Sequence, residues 1–163
     1  MKKLIYTLLI IIGLTNNSFS AGSSSDNDST SKVSDYAKAK NLIKAAKKFE
    51  KKGKAEKAQI RYAKAQKLLL KSNDKKPLQA DTLNYLGFTT RKLGDYEGGE
   101  KFYLQGLQIE PNHNGINEYL GELYVATNRM DMAKERLDVL KTCNCEEYGE
   151  LKEIIEGTKK SKY

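Results

Sequence analysis

Two cysteines near the carboxyl end are the residues whose spacing most directly suggests chemistry. Cys143 and Cys145 are the only cysteines in the chain, and one residue separates them. In an oxidising compartment two cysteines usually pair, so a disulfide here would act as a local staple of the turn before the last helix. A redox-active pair, intermolecular pairing and free thiols are the alternatives. A metal site would need more ligands than this segment offers.

The other polar residues form no recognisable catalytic set. His113 is the only histidine in the chain and lies in a predicted turn over residues 111–114. With this one loop histidine, no Ser-His-Asp catalytic set can be argued. Gly98-Gly99 falls inside a predicted helix and lacks the Lys-Ser/Thr that follows a phosphate-binding glycine loop. We therefore expect no enzyme activity, no cofactor and no metal.

The elements that would position these residues are helices. Apolar residues recur at i, i+3, i+4 and i+7 in the first of them, at Leu42, Ala45, Ala46 and Phe49. Further helices are predicted around residues 60–70 and over 78–92, 96–109, 116–127, 130–140 and 147–156. The breaks inside the helix pairs fall at Gly53, Gly94 and residues 128–129. No segment alternates with period two, so the sequence predicts an all-α fold.

The helix pairs repeat along the chain. Leu86-Gly87 and Leu120-Gly121 are 34 residues apart, as are Gly99 and Ala133. A 34-residue period with two helices per unit is typical of a tetratricopeptide-repeat (TPR) array. Residues 80–113 resemble a unit of the TPR family in the following positions: Leu83, Leu86, Gly87, Gly94, Asp95, Tyr96, Gly99, Tyr103, Gly106 and Pro111. Residues 114–147 form a second such unit, and residues 39–72 a weaker one. About seven residues, 73–79, are interpreted as an insertion between units.

The TPR resemblance implies a right-handed α-solenoid of about three helix pairs with a C-terminal capping helix. The expected TPR domain covers residues 36–157, with the cap at 148–157 and a basic tail at 158–163. The stretch from Glu118 to Tyr124, followed by that from Cys143 to Tyr148, also resembles a group of small exported bacterial TPR proteins that end in a paired-cysteine, Cys-Glu-Glu segment.

The first 20 residues read as a signal peptide, because Lys2 and Lys3 precede a short apolar core and small residues stand at Ser18 and Ser20. We expect cleavage after Ser20 and a periplasmic protein, with an uncleaved membrane anchor as the alternative. Residues 21–35 are rich in Ser and Asp and are expected to form a disordered linker.

The concave groove is the usual binding surface of this architecture. By repeat position, the predicted groove residues are Lys40, Ile43, Lys47, Asn84, Phe88, Arg91, Lys92, Glu118, Glu122 and Val125. Phe88 with Arg91 and Lys92 could hold an extended acidic or C-terminal peptide, so Phe88→Ala is expected to weaken partner binding without unfolding the domain. The chaperone-type carboxylate clamp is not matched, since Ile43 and Tyr85 occupy positions where it needs polar groups.

The charge is unevenly distributed, with a net charge of +12 over residues 31–76 and −4 over residues 77–163. The leading hypothesis is a periplasmic adaptor or scaffold that binds a segment of an envelope protein. The alternative is a binder of an anionic surface or polymer that uses the lysine-rich first unit. The lysines of that unit are expected to be scattered around the helices, which favours the first hypothesis. We expect no nucleic-acid partner and at most a weak contact with an anionic membrane.

Overall fold

The computed structural model describes residues 33–161. The expected signal peptide, almost all of the expected linker and the last two residues of the basic tail lie outside this part. Residues 33–161 form seven α-helices and no strand, so the predicted all-α class is confirmed. No helix of this part is long and apolar enough to cross a membrane. The helices are α1 (Asp35–Lys51), α2 (Ala55–Lys75), α3 (Ala80–Lys92), α4 (Tyr96–Ile109), α5 (Asn114–Ala126), α6 (Met130–Leu140) and α7 (Glu146–Ile155).

Six of these helices pair into three hairpins that stack in chain order. Helix α1 packs against α2, α3 against α4, and α5 against α6. Neighbouring hairpins meet through α2 with α3 and through α4 with α5, and α7 covers the last hairpin by packing on α5 and α6. Because each hairpin has apolar residues on both sides, stacking is what buries them. The arrangement is the helical solenoid that the repeat pattern predicts.

The same turn closes all three hairpins. Gly53, Gly94 and Asn128 have positive φ angles of 67°, 97° and 59° at equivalent places. In each turn this residue donates its N–H to the carbonyl three residues earlier, and the next residue donates to the carbonyl five residues before itself. This is the Schellman pattern, which ends a helix with a left-handed residue. A glycine or an asparagine is suited to that conformation.

Both helices of the first hairpin are longer than their counterparts, and the longer second helix lengthens the first repeat. The left-handed residues Gly53 and Gly94 are 41 positions apart, whereas Gly94 and Asn128 are 34 apart. Helix α2 has 21 residues and α4 has 14, while the connections 76–79 and 110–113 have the same length. The seven additional residues are therefore two further turns of α2 and do not form the separate insertion expected at 73–79.

Small residues allow helices to pack closely where large residues fill the adjacent space. A Cβ atom on Gly87 would lie 2.5 Å from the ring of Tyr103, and one on Gly99 would lie 3.0 Å from the carbonyl oxygen of Gly87. A Cβ on Gly121 would lie 2.5 Å from Leu151 of α7. Tyr103 and Leu151 are both fully buried. These glycines therefore set the spacing of α3 to α4 and of α5 to α7.

Candidate functional site

The predicted groove residues lie on α1, α3 and α5, the first helix of each hairpin. Helix α3 contacts both α1 and α5, so the three helices form one continuous face. We call this surface the inner face, because it corresponds to the concave side of repeat solenoids of this kind. All ten predicted residues belong to these three helices, and the structure separates them into a buried set and an accessible set.

The buried set lies beneath the surface of the inner face. It consists of Ile43, Asn84, Phe88, Arg91, Glu118 and Glu122, each with 6% or less of its surface exposed. Lys47, Lys92 and Val125 are half-buried and Lys40 is exposed. The predicted role of these residues in partner binding stays a prediction, and those of the buried set present little surface to a partner.

Tyr119 is the residue that covers Phe88, and the sequence analysis did not single it out. Its ring centroid lies 5.1 Å from that of Phe88. The Lys47 ammonium lies 4.5 Å from the Phe88 centroid and donates a hydrogen bond to the Tyr119 hydroxyl at 3.2 Å. The 34-residue period could have identified Tyr119, because it occupies the same repeat position as Tyr85.

A buried ion pair connects α3 to α5 under this aromatic layer. Arg91 Nη2 lies 3.2 Å from Glu122 Oε2, and both side chains are fully buried. Arg91 Nη1 also donates to the Tyr119 carbonyl oxygen at 2.7 Å. Burial raises the pKa of the neighbouring Tyr103 hydroxyl, so it stays protonated at neutral pH. This network holds the second and third hairpins together and is structural.

The accessible part of the inner face begins with a lysine-lined cavity on α1. Its volume is about 570 Å³, and we call it the lysine pocket. The lining residues are Lys40, Asn41, Ile43, Lys44, Lys47, Lys48, Lys51 and Tyr85. The spacing of these five lysines places them on one face of α1. The expectation that the lysines of the first unit are scattered is therefore wrong for these five, because the helical period aligns them.

A second cavity adjoins the first and has the opposite charge. It encloses about 350 Å³ next to the starts of α3 and α5, and we call it the carboxylate pocket. Its lining includes four acidic residues, three asparagines, a histidine, a glycine and two tyrosines: Asp81, Glu110, Glu118, Glu147, Asn84, Asn112, Asn114, His113, Gly115, Tyr85 and Tyr119. Tyr85 lines both cavities, and burial raises the pKa of its hydroxyl, which therefore remains neutral. The sequence analysis found only Asn84 and Glu118 of these residues as groove positions.

His113 has a structural position at the edge of the carboxylate pocket. Its Nδ1 accepts a hydrogen bond from the backbone N–H of Ile116 at 3.1 Å, which caps the start of α5. Its Nε2 lies 3.4 Å from Asp81 Oδ1. A histidine whose Nδ1 accepts this bond carries its proton on Nε2. Within residues 33–161, no three His, Cys, Asp or Glu side chains are arranged so that they could hold a metal ion.

The two cysteines lie between α6 and α7, where the structure joins their sulfur atoms in a disulfide. The bond brackets Asn144, which has a φ of 49°. Neither cysteine lines the lysine pocket or the carboxylate pocket. The disulfide thus borders the start of the capping helix, two residues before Glu147 of the carboxylate pocket.

Solved structures share this fold. No family model matches the sequence, and no curated protein is significantly similar to it. PcrH, solved in complex with the chaperone binding region of PopD, has a TM-score of 0.52 and 16% identity, with 72% of this chain and 88% of that chain covered. The type III secretion translocator chaperone SycD of Yersinia enterocolitica has a TM-score of 0.52 and 15% identity, with 77% and 86% covered.

A third structure, the first TPR of Spaghetti (RPAP3) bound to an HSP90 peptide, has a TM-score of 0.48 and 20% identity, with 77% and 97% covered. These neighbours are TPR proteins. The narrower resemblance to exported proteins with a Cys-Glu-Glu segment stays a prediction. Residues 33–161 have the fold of the tetratricopeptide-repeat proteins.

Proposed function

We propose that this chain is a non-catalytic protein-interaction module whose inner face binds an acidic segment of another protein. The observation that carries the proposal is the lysine pocket, a cavity lined by five lysines with Tyr85 as its aromatic wall. PcrH, which has the same fold, was solved with a segment of PopD bound to it. An extended segment in a groove is a recurrent mode of peptide recognition.

The charge of the lysine pocket favours an acidic ligand. No aspartate or glutamate is among its lining residues. Like charges this close repel one another, and a ligand carboxylate relieves the repulsion while forming charge-assisted hydrogen bonds. The Lys40 ammonium lies 5.5 Å from the Tyr36 ring centroid and 5.8 Å from that of Tyr85. Lys40 is thereby positioned at the rim of the cavity by cation–π contacts.

The test is the binding of a fluorescent peptide with four consecutive Asp or Glu residues to the full chain, measured by anisotropy. We expect Lys44→Gln with Lys48→Gln to weaken binding about tenfold, since two partly exposed ion pairs contribute about 1.4 kcal/mol together. The matched control is Lys64→Gln with Lys67→Gln, which removes the same charge from exposed positions of α2. Equal affinity of the two double variants would refute the assignment of the lysine pocket.

A second candidate function is binding to an anionic polymer or membrane surface, which the alignment of five lysines on α1 also favours. Such binding depends on charge alone, whereas the peptide site also uses Tyr85. Sedimentation with vesicles of anionic phospholipid tests it. Vesicle binding that Tyr85→Ala leaves unchanged, together with no binding of the acidic peptide, would favour this second function.

We propose the periplasm as the location and an envelope protein as the partner, on the strength of the first 20 residues of the sequence. The measurement is fractionation of bacteria that express the full chain with a C-terminal tag. N-terminal sequencing of the recovered protein should begin at Ala21. Recovery from the cytoplasm with the first residues intact would contradict the proposal, and recovery from the membrane at full length would support the anchor.

A further inference from the structure

We propose that the carboxylate pocket binds a lysine or arginine side chain of the same peptide whose acidic residues occupy the lysine pocket. The inference rests on the proposed function and specifies its ligand as a segment with separate acidic and basic positions. It assigns a second subsite to the inner face, one that a uniformly acidic peptide would leave empty.

The charge of the pocket lining is the first argument. Four acidic residues, Asp81, Glu110, Glu118 and Glu147, line the cavity, and no lysine or arginine is among its lining residues. The Asp81 side chain is 71% exposed, Glu110 is exposed and Glu147 is half-buried. Acidic groups concentrated in a cleft focus a negative potential, which attracts a cation and disfavours an anion.

Asn84 is an independent argument, because it is a buried polar side chain at the wall of this pocket. Only 6% of its surface is exposed, and its Oδ1 has no hydrogen-bond partner among the described residues. A Cβ atom on Gly115 would lie 2.8 Å from Asn84 Nδ2, so the glycine leaves the space that the amide occupies. A buried carbonyl oxygen without a donor is unfavourable, because it has lost its hydrogen bonds to water. A ligand that brings N–H donors into the pocket would offset this.

The arrangement of the carboxylates favours an organic cation over a metal ion. A metal requires its ligands to converge on one point, and no group of three such side chains that could hold one occurs within residues 33–161. A guanidinium presents five N–H donors in a plane and can reach carboxylates that lie apart. An ammonium on a flexible stem can do so in part.

The shared wall of the two pockets connects the subsites. Tyr85 lines both cavities, so a peptide that crosses this side chain enters the lysine pocket on one side and the carboxylate pocket on the other. Two subsites of opposite charge would bind such a peptide in a single orientation, because the reversed peptide would place like charges together.

The experiment compares two series of synthetic peptides on the full chain by fluorescence anisotropy. One series has an acidic run followed by an arginine about two, four or six residues away, which covers about 7–20 Å of extended chain. The other series has glutamine in place of the arginine. We expect the arginine peptide of the best spacing to bind about fivefold more tightly than the glutamine peptide of the same spacing. A gain in affinity of about fivefold is near the upper limit of what a partly exposed ion pair contributes.

Two double variants test whether the gain in affinity from the arginine arises at the carboxylate pocket. Glu110→Gln with Glu147→Gln should reduce the arginine-to-glutamine ratio to about one. Glu56→Gln with Glu97→Gln, which removes two exposed carboxylates elsewhere, should leave it unchanged. Equal binding of both series, or a ratio that survives in the first double variant, would overturn this inference while the proposed function stands. If no peptide of either series binds, the proposed function fails and the inference fails with it.

Discussion

Replacing Arg91 by methionine should sharply lower the stability of the domain. Methionine retains the length and most of the apolar surface of the arginine stem but removes the cation. The Glu122 carboxylate then stays fully buried without the guanidinium that lies 3.2 Å from it, and the Tyr119 carbonyl loses its donor at 2.7 Å. The change therefore acts on the contact between the second and third hairpins.

The magnitude follows from the burial of both side chains. Removing one partner of a buried pair typically costs about 3–5 kcal/mol, because the remaining charge is held out of water. Domains of this size have a free energy of unfolding of about 5–15 kcal/mol, so the variant would lose about a fifth of it or more. The corresponding fall in Tm is about 10–20 °C.

The assay is urea denaturation followed by circular dichroism at 222 nm. The double variant Arg91→Met with Glu122→Leu should regain most of the loss, since an apolar pair of similar volume replaces the ionic one. The matched control is Arg129→Met, whose partner Glu100 lies at 2.7 Å in a more exposed pair; we expect a loss of about 1 kcal/mol or less. A single Arg91 variant as stable as that control, or a double variant no better than the single one, would refute the reasoning.

Three further results are expected. Gly121→Ala should lower the free energy of unfolding by about 1–3 kcal/mol in urea titrations, because its Cβ would collide with Leu151. Gly149→Ala, whose Cβ meets no atom within 4 Å, should instead stabilise α7 by up to about 1 kcal/mol. Equal effects of the two variants would contradict the close contact of Gly121 with Leu151. Burial raises the pKa of Tyr124 to about 12 and shifts the pKa values of Tyr62, Tyr103 and Tyr119 in the same direction. A group whose pKa is raised by folding contributes stability that is full below its unfolded pKa and is lost as the pH rises. The urea midpoint should therefore fall above about pH 10, and tyrosinate absorbance should appear as the helices melt. Tyrosinate that forms without loss of helix would argue against this. Acidic-peptide binding should weaken about tenfold between about 0.05 and 0.5 M NaCl, and an unchanged Kd would argue against a charge-based site.

The helices could be predicted from the sequence because their signals are local. Residues 96–109 and 130–140 were expected as helices and are α4 and α6 with those bounds. Gly94 and Asn128 mark the turns because few other residues accept a positive φ. Gly98 is a residue type that is unfavourable inside a helix, but here it belongs to the cap that begins α4. Its N–H donates to the carboxylate of Asp95 at 2.8 Å, and a Cβ atom on residue 98 would overlap that carboxylate.

The burial of the groove residues could not be predicted in the same way. Repeat position places Phe88 on the inner face, but Lys47 and Tyr119 from neighbouring hairpins decide whether a ligand can reach it. Phe88 is 1% exposed and also packs against Tyr62. Phe88→Ala is therefore expected to lower stability by about 3–5 kcal/mol, so weaker binding by this variant would not by itself assign Phe88 to the binding surface. Tyr85→Ala is the better variant for a binding test, since Tyr85 lines both pockets.

The two additional turns of α2 have a consequence for changes in the length of the protein. Seven residues rotate an α-helix by about 700°, which returns the chain to within about 20° of its starting face. Buried residues before and after such an addition, here Ala58 and Leu69, can then keep facing the same neighbours. A deletion of seven residues from α2 should accordingly be tolerated far better than a deletion of five, which would turn the rest of the helix by about 140° and carry its apolar side into water. Repeat arrays of this kind can thus change the height of one hairpin in steps of two helical turns without altering how the hairpins stack.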